Sequence, residues 1–282
     1  MFITINALLL VLWLRLLPQR DEQVFFNPYV AGGLSLTDRI VQFLNPVFGA
    51  LPAYAVSFLL LLFVLLFRGV ALTSLNVPWR ETIGIWQFSR YQPVPDGIKF
   101  SFVAFALLLH RVWVIDWVLE MLQRGRKNTR PGVTLSALAM PVAAIPAAAR
   151  GFVLLAAGAG IGLLFKKVAM ISPVEGIKSL SDAQGIPLLI GFALGSFLDI
   201  LDVASQLMMI FIILTFVGVI LRSQQVATFG NDGIDLLIGN LFPRPVEKGG
   251  ISFAPLIFFI VASILHQLGN VQLHALMEQL SR

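Results

Sequence analysis

Nineteen consecutive residues, Val203 to Leu221, carry no formal charge. As a helix rising 1.5 Å per residue such a run measures about 28 Å, close to the hydrocarbon thickness of a bilayer. Other apolar runs repeat the theme: Ala53 to Phe67, the first part of Phe100 to Leu122, Gly151 to Phe165, Ile186 to Leu198 and Ile251 to Leu268. A soluble fold would have to bury all of them with a chain that is 57% apolar and only 12% charged, about half the usual charged fraction. Lipid solvates them directly, provided that backbone polar groups are satisfied within each segment, which leaves helices. The expected fold is all-α: a polytopic transmembrane protein with about five or six membrane helices and short amphipathic or re-entrant segments.

The net charge of +5 does not point to nucleic acid, because the bases stand singly or in short groups beside apolar runs, as juxtamembrane residues do. The densest group, Arg124 to Arg130, marks the cytoplasmic side by the positive-inside rule. The first apolar run has no positive residue before it and no small-residue cleavage site after it. It reads as a retained first helix, with Arg15 snorkelling near its end. The chain has no cysteine, which removes disulfides, thiolate metal sites and thiol nucleophiles together. Its three histidines are scattered without metal-ligand spacing, so neither metal nor cofactor is expected. No metalloprotease, nucleophile-elbow, P-loop or dinucleotide-binding pattern occurs in a suitable context, and the chain reads as a non-enzyme.

Along the chain, Ser35 to Pro46 reads as a short surface helix capped by Ser35, with Leu36, Ile40, Phe43 and Leu44 forming its apolar stripe. The second membrane helix is expected from about Ala53 to Phe67, closed by Arg68. The loop from Arg68 to Lys99 is the most soluble part, and Trp79, Trp86 and Tyr91 in it suit a headgroup-level aromatic belt. Residues 133 to 165 are expected to span only if the proline-broken stretch before Gly151 joins the run behind it. Ile186 to Leu198 is expected as a short re-entrant piece before the Val203 helix; one long helix bent near Gly195 is the alternative.

The two ends of the chain are built alike, as helix, loop with a proline-bounded amphipathic piece, then helix. The division is into residues 1–72, a central insertion 73–185, and residues 186–282. Phe26-Asn27-Pro28-Tyr29, Thr37, Pro46 and Pro52 resemble the first half of the YggT (YlmG-like) membrane proteins. Gly249-Gly250-Ile251-Ser252-Phe253-Ala254-Pro255 resembles the entrance of their second half, with Ser252 where the family carries Asp and Ala254 where it carries Ser. The resemblance covers about half of the chain and implies a multi-pass protein without known catalysis, linked to assembly or organisation at a membrane. Here that means a bacterial cytoplasmic membrane, with other membrane proteins or further copies as partners.

Candidate functional residues are those that a bilayer penalises. His110 and Arg111 lie midway along the third helix, where a guanidinium needs a carboxylate or carbonyl partner. Asp116, Glu120 and Arg124, spaced by four, are expected to form an interfacial stripe. Asp199 and Asp202 share a helical face and could bind a cation or relay protons, but are expected at the membrane surface, starting the Val203 helix. His266 and His274 are expected at the interface. Gly158, Gly162, Gly191 and Gly195 read as notches for helix packing. Two functions follow: a scaffold, assembly factor or accessory subunit of a membrane complex, or, alternatively, a secondary transporter or channel using the intramembrane Asp, His and Arg residues. Were six helices to span, both repeat loops would lie on the Arg124–Arg130 side; were the Gly151 run not to cross, the repeats would be inverted.

Overall fold

The computed structural model describes residues 2–17, 28–48, 51–75, 79–90, 94–122, 130–173, 185–239, 247–248 and 251–281. In chain order these form α1 (Phe2–Leu16), α2 (Pro28–Phe48), α3 (Ala53–Ser74), β1 (Arg80–Ile83), β2 (Trp86–Arg90), α4 (Val94–Leu122), α5 (Arg130–Leu138), α6 (Met140–Ala143), α7 (Ala147–Val168), β3 (Ala169–Pro173), α8 (Ile186–Ile220), α9 (Gln224–Ile238), β4 (Glu247–Lys248), β5 (Ile251–Ser252) and α10 (Ala254–Ser281). Five helices, α3, α4, α7, α8 and α10, are long and apolar enough to cross a membrane, and α1 is a shorter apolar helix. The chain is a multi-pass, all-α membrane protein with a small sheet set into its bundle.

Helix starts follow proline. Pro52 and Pro146 stand just before α3 and α7 with φ −65° and −52°, and α8 has proline in its first turn, where no intrahelical bond is lost. Neighbouring long helices run antiparallel. His110 of α4 meets Leu154 of α7 and Trp117 meets Ala147; Gly162 and Gly158 of α7 face Phe192 and Ser196 of α8. Gly191, Leu198 and Asp199 of α8 meet Met277, Gly269 and His266 of α10 in turn. Asn6 of α1 accepts a bond from Arg68 of α3 at 2.8 Å, so α1 joins the alternation. The sheet therefore lies at one end, with the start of α4 and α8 and the finish of α3, α7 and α10. At the other end α2 and α9 both touch α5. The two amphipathic segments thus share a side, the arrangement expected if six helices cross. Arg124 to Lys127 of the basic group lie outside the described residues.

Several expectations are corrected. Ile186 to Leu198 is not a separate re-entrant piece: it continues through the two aspartates as one helix, α8. Nothing there breaks a helix, since Asp199 finds partners inside the bundle and Gly195 lies against the backbone of Gly84. α8 ends as Arg222 takes φ 52°, a left-handed position more usual for glycine, with Ser223 N–H bonded to Gly218 O at 2.8 Å. That turn folds α9 back onto α8, where Gly218, Gly230 and Gly233 permit close contact. α3 does not stop at Phe67 but runs to Ser74, because Arg68 is buried with its guanidinium 4.2 Å from the Trp79 ring. α4 begins at Val94 rather than Phe100, and α2 at Pro28 rather than Ser35, whose hydroxyl donates to Gly32 O instead of capping.

The largest correction concerns the loop before Lys99. Instead of an aromatic belt, it supplies an antiparallel hairpin, β1–β2, extended by β3 in the order β1-β2-β3. Trp79 and Trp86 are 5% and 1% exposed and pack with Ile83, Ile85, Phe88, Phe100, Phe165 and Phe192 in the main core. Composition misleads here because Ile83, Trp86 and Phe88 of these strands face inward although exposed Arg80 stands in the same hairpin.

Candidate functional site

A hairpin tip inside a membrane bundle leaves backbone groups that neither water nor lipid can satisfy. Here two charged side chains satisfy them. β1 is an edge strand, and its Thr82 carbonyl accepts from Arg111 Nη2 at 2.9 Å. The turn residue Gly84, at φ 56°, donates its N–H to Asp199 Oδ1 at 2.9 Å. Guanidinium meets carbonyl and carboxylate meets amide, so each charge makes a charge-assisted bond to the peptide group of opposite polarity.

The two charges also meet each other. Arg111 Nη2 lies 3.4 Å from Asp199 Oδ2, and Nη1 lies 3.6 Å from Glu81 Oε2 on β1. Glu81 in turn accepts from Trp79 Nε1 at 3.1 Å. Close approach depends on glycine: a Cβ on Gly84 would sit 2.6 Å from Gly195 Cα, and one on Gly195 3.0 Å from Gly84 Cα. His266 of α10 completes the group, its Nε2 3.9 Å from Asp199 Oδ1 and 3.1 Å from Asn270 Nδ2.

The structure therefore brings Arg111 and Asp199 together and buries Asp199, 4% exposed, rather than leaving it at the membrane surface. His266 stands with them rather than at the interface. His110 faces the other way, its Nε2 2.9 Å from Leu154 O and its ring edge-on to Phe197 in the space that Gly158 leaves. Asp202, a turn further along α8, accepts from Gln206 Nε2 at 2.7 Å. Glu81 is not legible as a site residue in the sequence, because the charges around it make its strand look like a loop.

A second charged group gathers Asp116 and Glu120 of the expected stripe around Arg150. Arg150 is 3% exposed, and its Nη1 lies 2.7 Å from Glu120 and 3.8 Å from Asp116, which also accepts from Ser136 Oγ at 3.0 Å. Arg124 lies outside the described residues.

Of the residues that carry the family resemblance, Asn27, Gly249 and Gly250 lie outside the described residues. Pro28 begins α2, Pro46 falls within it, and Pro52 precedes α3. Ser252 lies in β5, so α10 starts three residues later than the glycine-marked entrance suggests, with Pro255 in its first turn. Compared with models of protein families, with curated proteins and with solved structures, the chain matches none.

Proposed function

We propose that the chain is a non-enzymatic, multi-pass protein of a bacterial cytoplasmic membrane that acts as a scaffold, assembly factor or accessory subunit of a membrane complex. One observation carries this reading: Arg111 and Asp199, the charges best placed at mid-span for chemistry, are engaged in holding the Glu81–Gly84 tip in the bundle. Such bonds stabilise a shape more readily than they cycle through states. The YggT-like features of the two ends support it, as do the exposed apolar faces of α8 and α10, available to neighbouring helices. Affinity purification of the full chain in mild detergent tests it. Reproducible co-purification of other membrane proteins is expected, whereas a chain that always emerges alone and monomeric would count heavily against it.

A second reading, transport of an ion or small solute, is favoured by the Arg111–Asp199–His266 contact deep in the bundle. In proteoliposomes it requires a flux that Asp199→Asn with Asp202→Asn abolishes; an unchanged flux, or none in the parent, removes it.

A further inference from the structure

Arg111 is held between Glu81 and Asp199 and His266 lies against Asp199, whereas Asp202 beside them is bonded to the neutral amide of Gln206. Among the described residues Asp202 pairs with no lysine or arginine. Nor is the group sealed: the side chains of Glu81 and Arg111 are each 19% exposed, that of His266 is 22% exposed, and Gln206 and Gln267 are exposed. Asp202 lies about 24 Å along α8 from Ile186, and Gln267 about 20 Å along α10 from Ala254, at 1.5 Å per residue. Their exposed neighbours Ile264, Leu265, Leu268, Met209 and Ile210 suit hydrocarbon.

α10 adds unmet hydrogen-bonding groups at this depth. Ser263, Gln267, Asn270 and His274 follow one another at spacings of four and three and share one face. Asn270 Oδ1 and His274 Nε2 are buried without a hydrogen-bond partner, and the exposed side chain of Gln267 makes no hydrogen bond among the described residues. α10 is also the least buried of the five long spans, 11% against 50% for α4. Lipid supplies neither hydrogen bonds nor counter-charge.

We propose that the surface formed by the Asp202–Gln206 turn of α8 and the Ser263–Gln267–Asn270 face of α10 receives a transmembrane helix of a partner protein that carries a lysine or arginine near its midpoint. The proposal rests on the assembly reading and names the chemistry of the partner. Asp202, a carboxylate bonded to a neutral amide while Arg111 and His266 are engaged by Asp199, sets the sign of the missing charge. A second copy of this chain does not fit. Among the described residues its basic side chains within spans are engaged, Arg68 and Arg150 buried and Arg111 held by Glu81 and Asp199, or stand near helix ends, as Lys99, Lys166 and Lys167 do.

The test uses the full chain, fluorescently labelled in liposomes, and three synthetic leucine-rich transmembrane peptides: one with a central lysine, one with a central glutamate, one with leucine only. Energy transfer is expected to show the lysine peptide binding about tenfold or more tightly than the leucine peptide. Asp202→Asn should erase that preference, and Asp202→Lys should transfer it to the glutamate peptide. Gln267→Leu, outside the charged group, should weaken the lysine peptide a few-fold without lowering the melting temperature. Equal binding of all three peptides, or a lysine preference that survives Asp202→Asn, overturns the proposal. So does a cation leak abolished by Asp202→Asn without any peptide preference. No native partner enters these titrations, so they fail or succeed separately from the co-purification that tests the assembly reading.

Discussion

Two of the arginines that enter the bundle, Arg150 and Arg111, are held in different ways. The Arg150 side chain is 4% exposed; besides Glu120 and Asp116 it takes the carbonyls of Ala143 and Ile145 at 2.9 and 3.0 Å. Those carbonyls lie at the end of α6, where a helix leaves acceptors unsatisfied and a cation is favourable. Arg111 reaches Glu81 and Asp199 at 3.6 and 3.4 Å, remains 19% exposed, and draws its partners from β1 and α8. Arg150 thus closes a knot between α4, α6 and α7, whereas Arg111 pins a separately formed hairpin and leaves its charges partly open to the membrane face. One is a feature of the fold alone; the other borders a surface.

The contrast is broken first at Arg150. Arg150→Met removes the buried guanidinium that Asp116 and Glu120 share, and a loss of about 3–5 kcal/mol is expected in denaturant unfolding in mixed micelles. A cost no larger than that of Arg111→Met would erase the distinction. Gly84→Val comes next: a branched side chain at φ 56°, with its Cβ directed at Gly195, is expected to cost about 2–4 kcal/mol and to shift Trp86 fluorescence to the red, with helical circular dichroism retained. Arg111→Met should cost about 1–3 kcal/mol, and Arg111→Lys should recover only part of it, because an ammonium cannot span Thr82 O, Glu81 and Asp199 at once. Smallest is Asp202→Asn, expected within about 0.5 kcal/mol in stability, so that its effect is read in association rather than folding.

Much of the bundle is legible in the sequence because lipid imposes a length and forbids charge, and charge-free runs such as Val203 to Leu221 meet both conditions. The boundaries are less so. Asp199 reads as the edge of a helix since an acid suits a helix start, yet tertiary partners, Gly84 N–H and Arg111, override that preference. The hairpin is the main omission. Trp86-Gln87-Phe88-Ser89 does alternate apolar with polar just past Gly84, a short period-two signal outweighed by the charges in the same loop. Arg150 stands one residue before a charge-free run and looks like its flank; that it turns inward depends on the short helices α5 and α6 folding beneath α4, which no local pattern encodes.

Whether the hairpin is held inside the bundle by these charges is read most directly by thiol accessibility, in a chain with no cysteine of its own. Ile85→Cys places a thiol at a position 1% exposed behind the Gly84 turn. With Arg111 intact, that thiol should resist a water-soluble maleimide, and adding Arg111→Met should raise its labelling rate by about tenfold or more as the tip opens. Labelling as fast with Arg111 intact as in the denatured chain, or a rate unmoved by Arg111→Met, would contradict a latched hairpin.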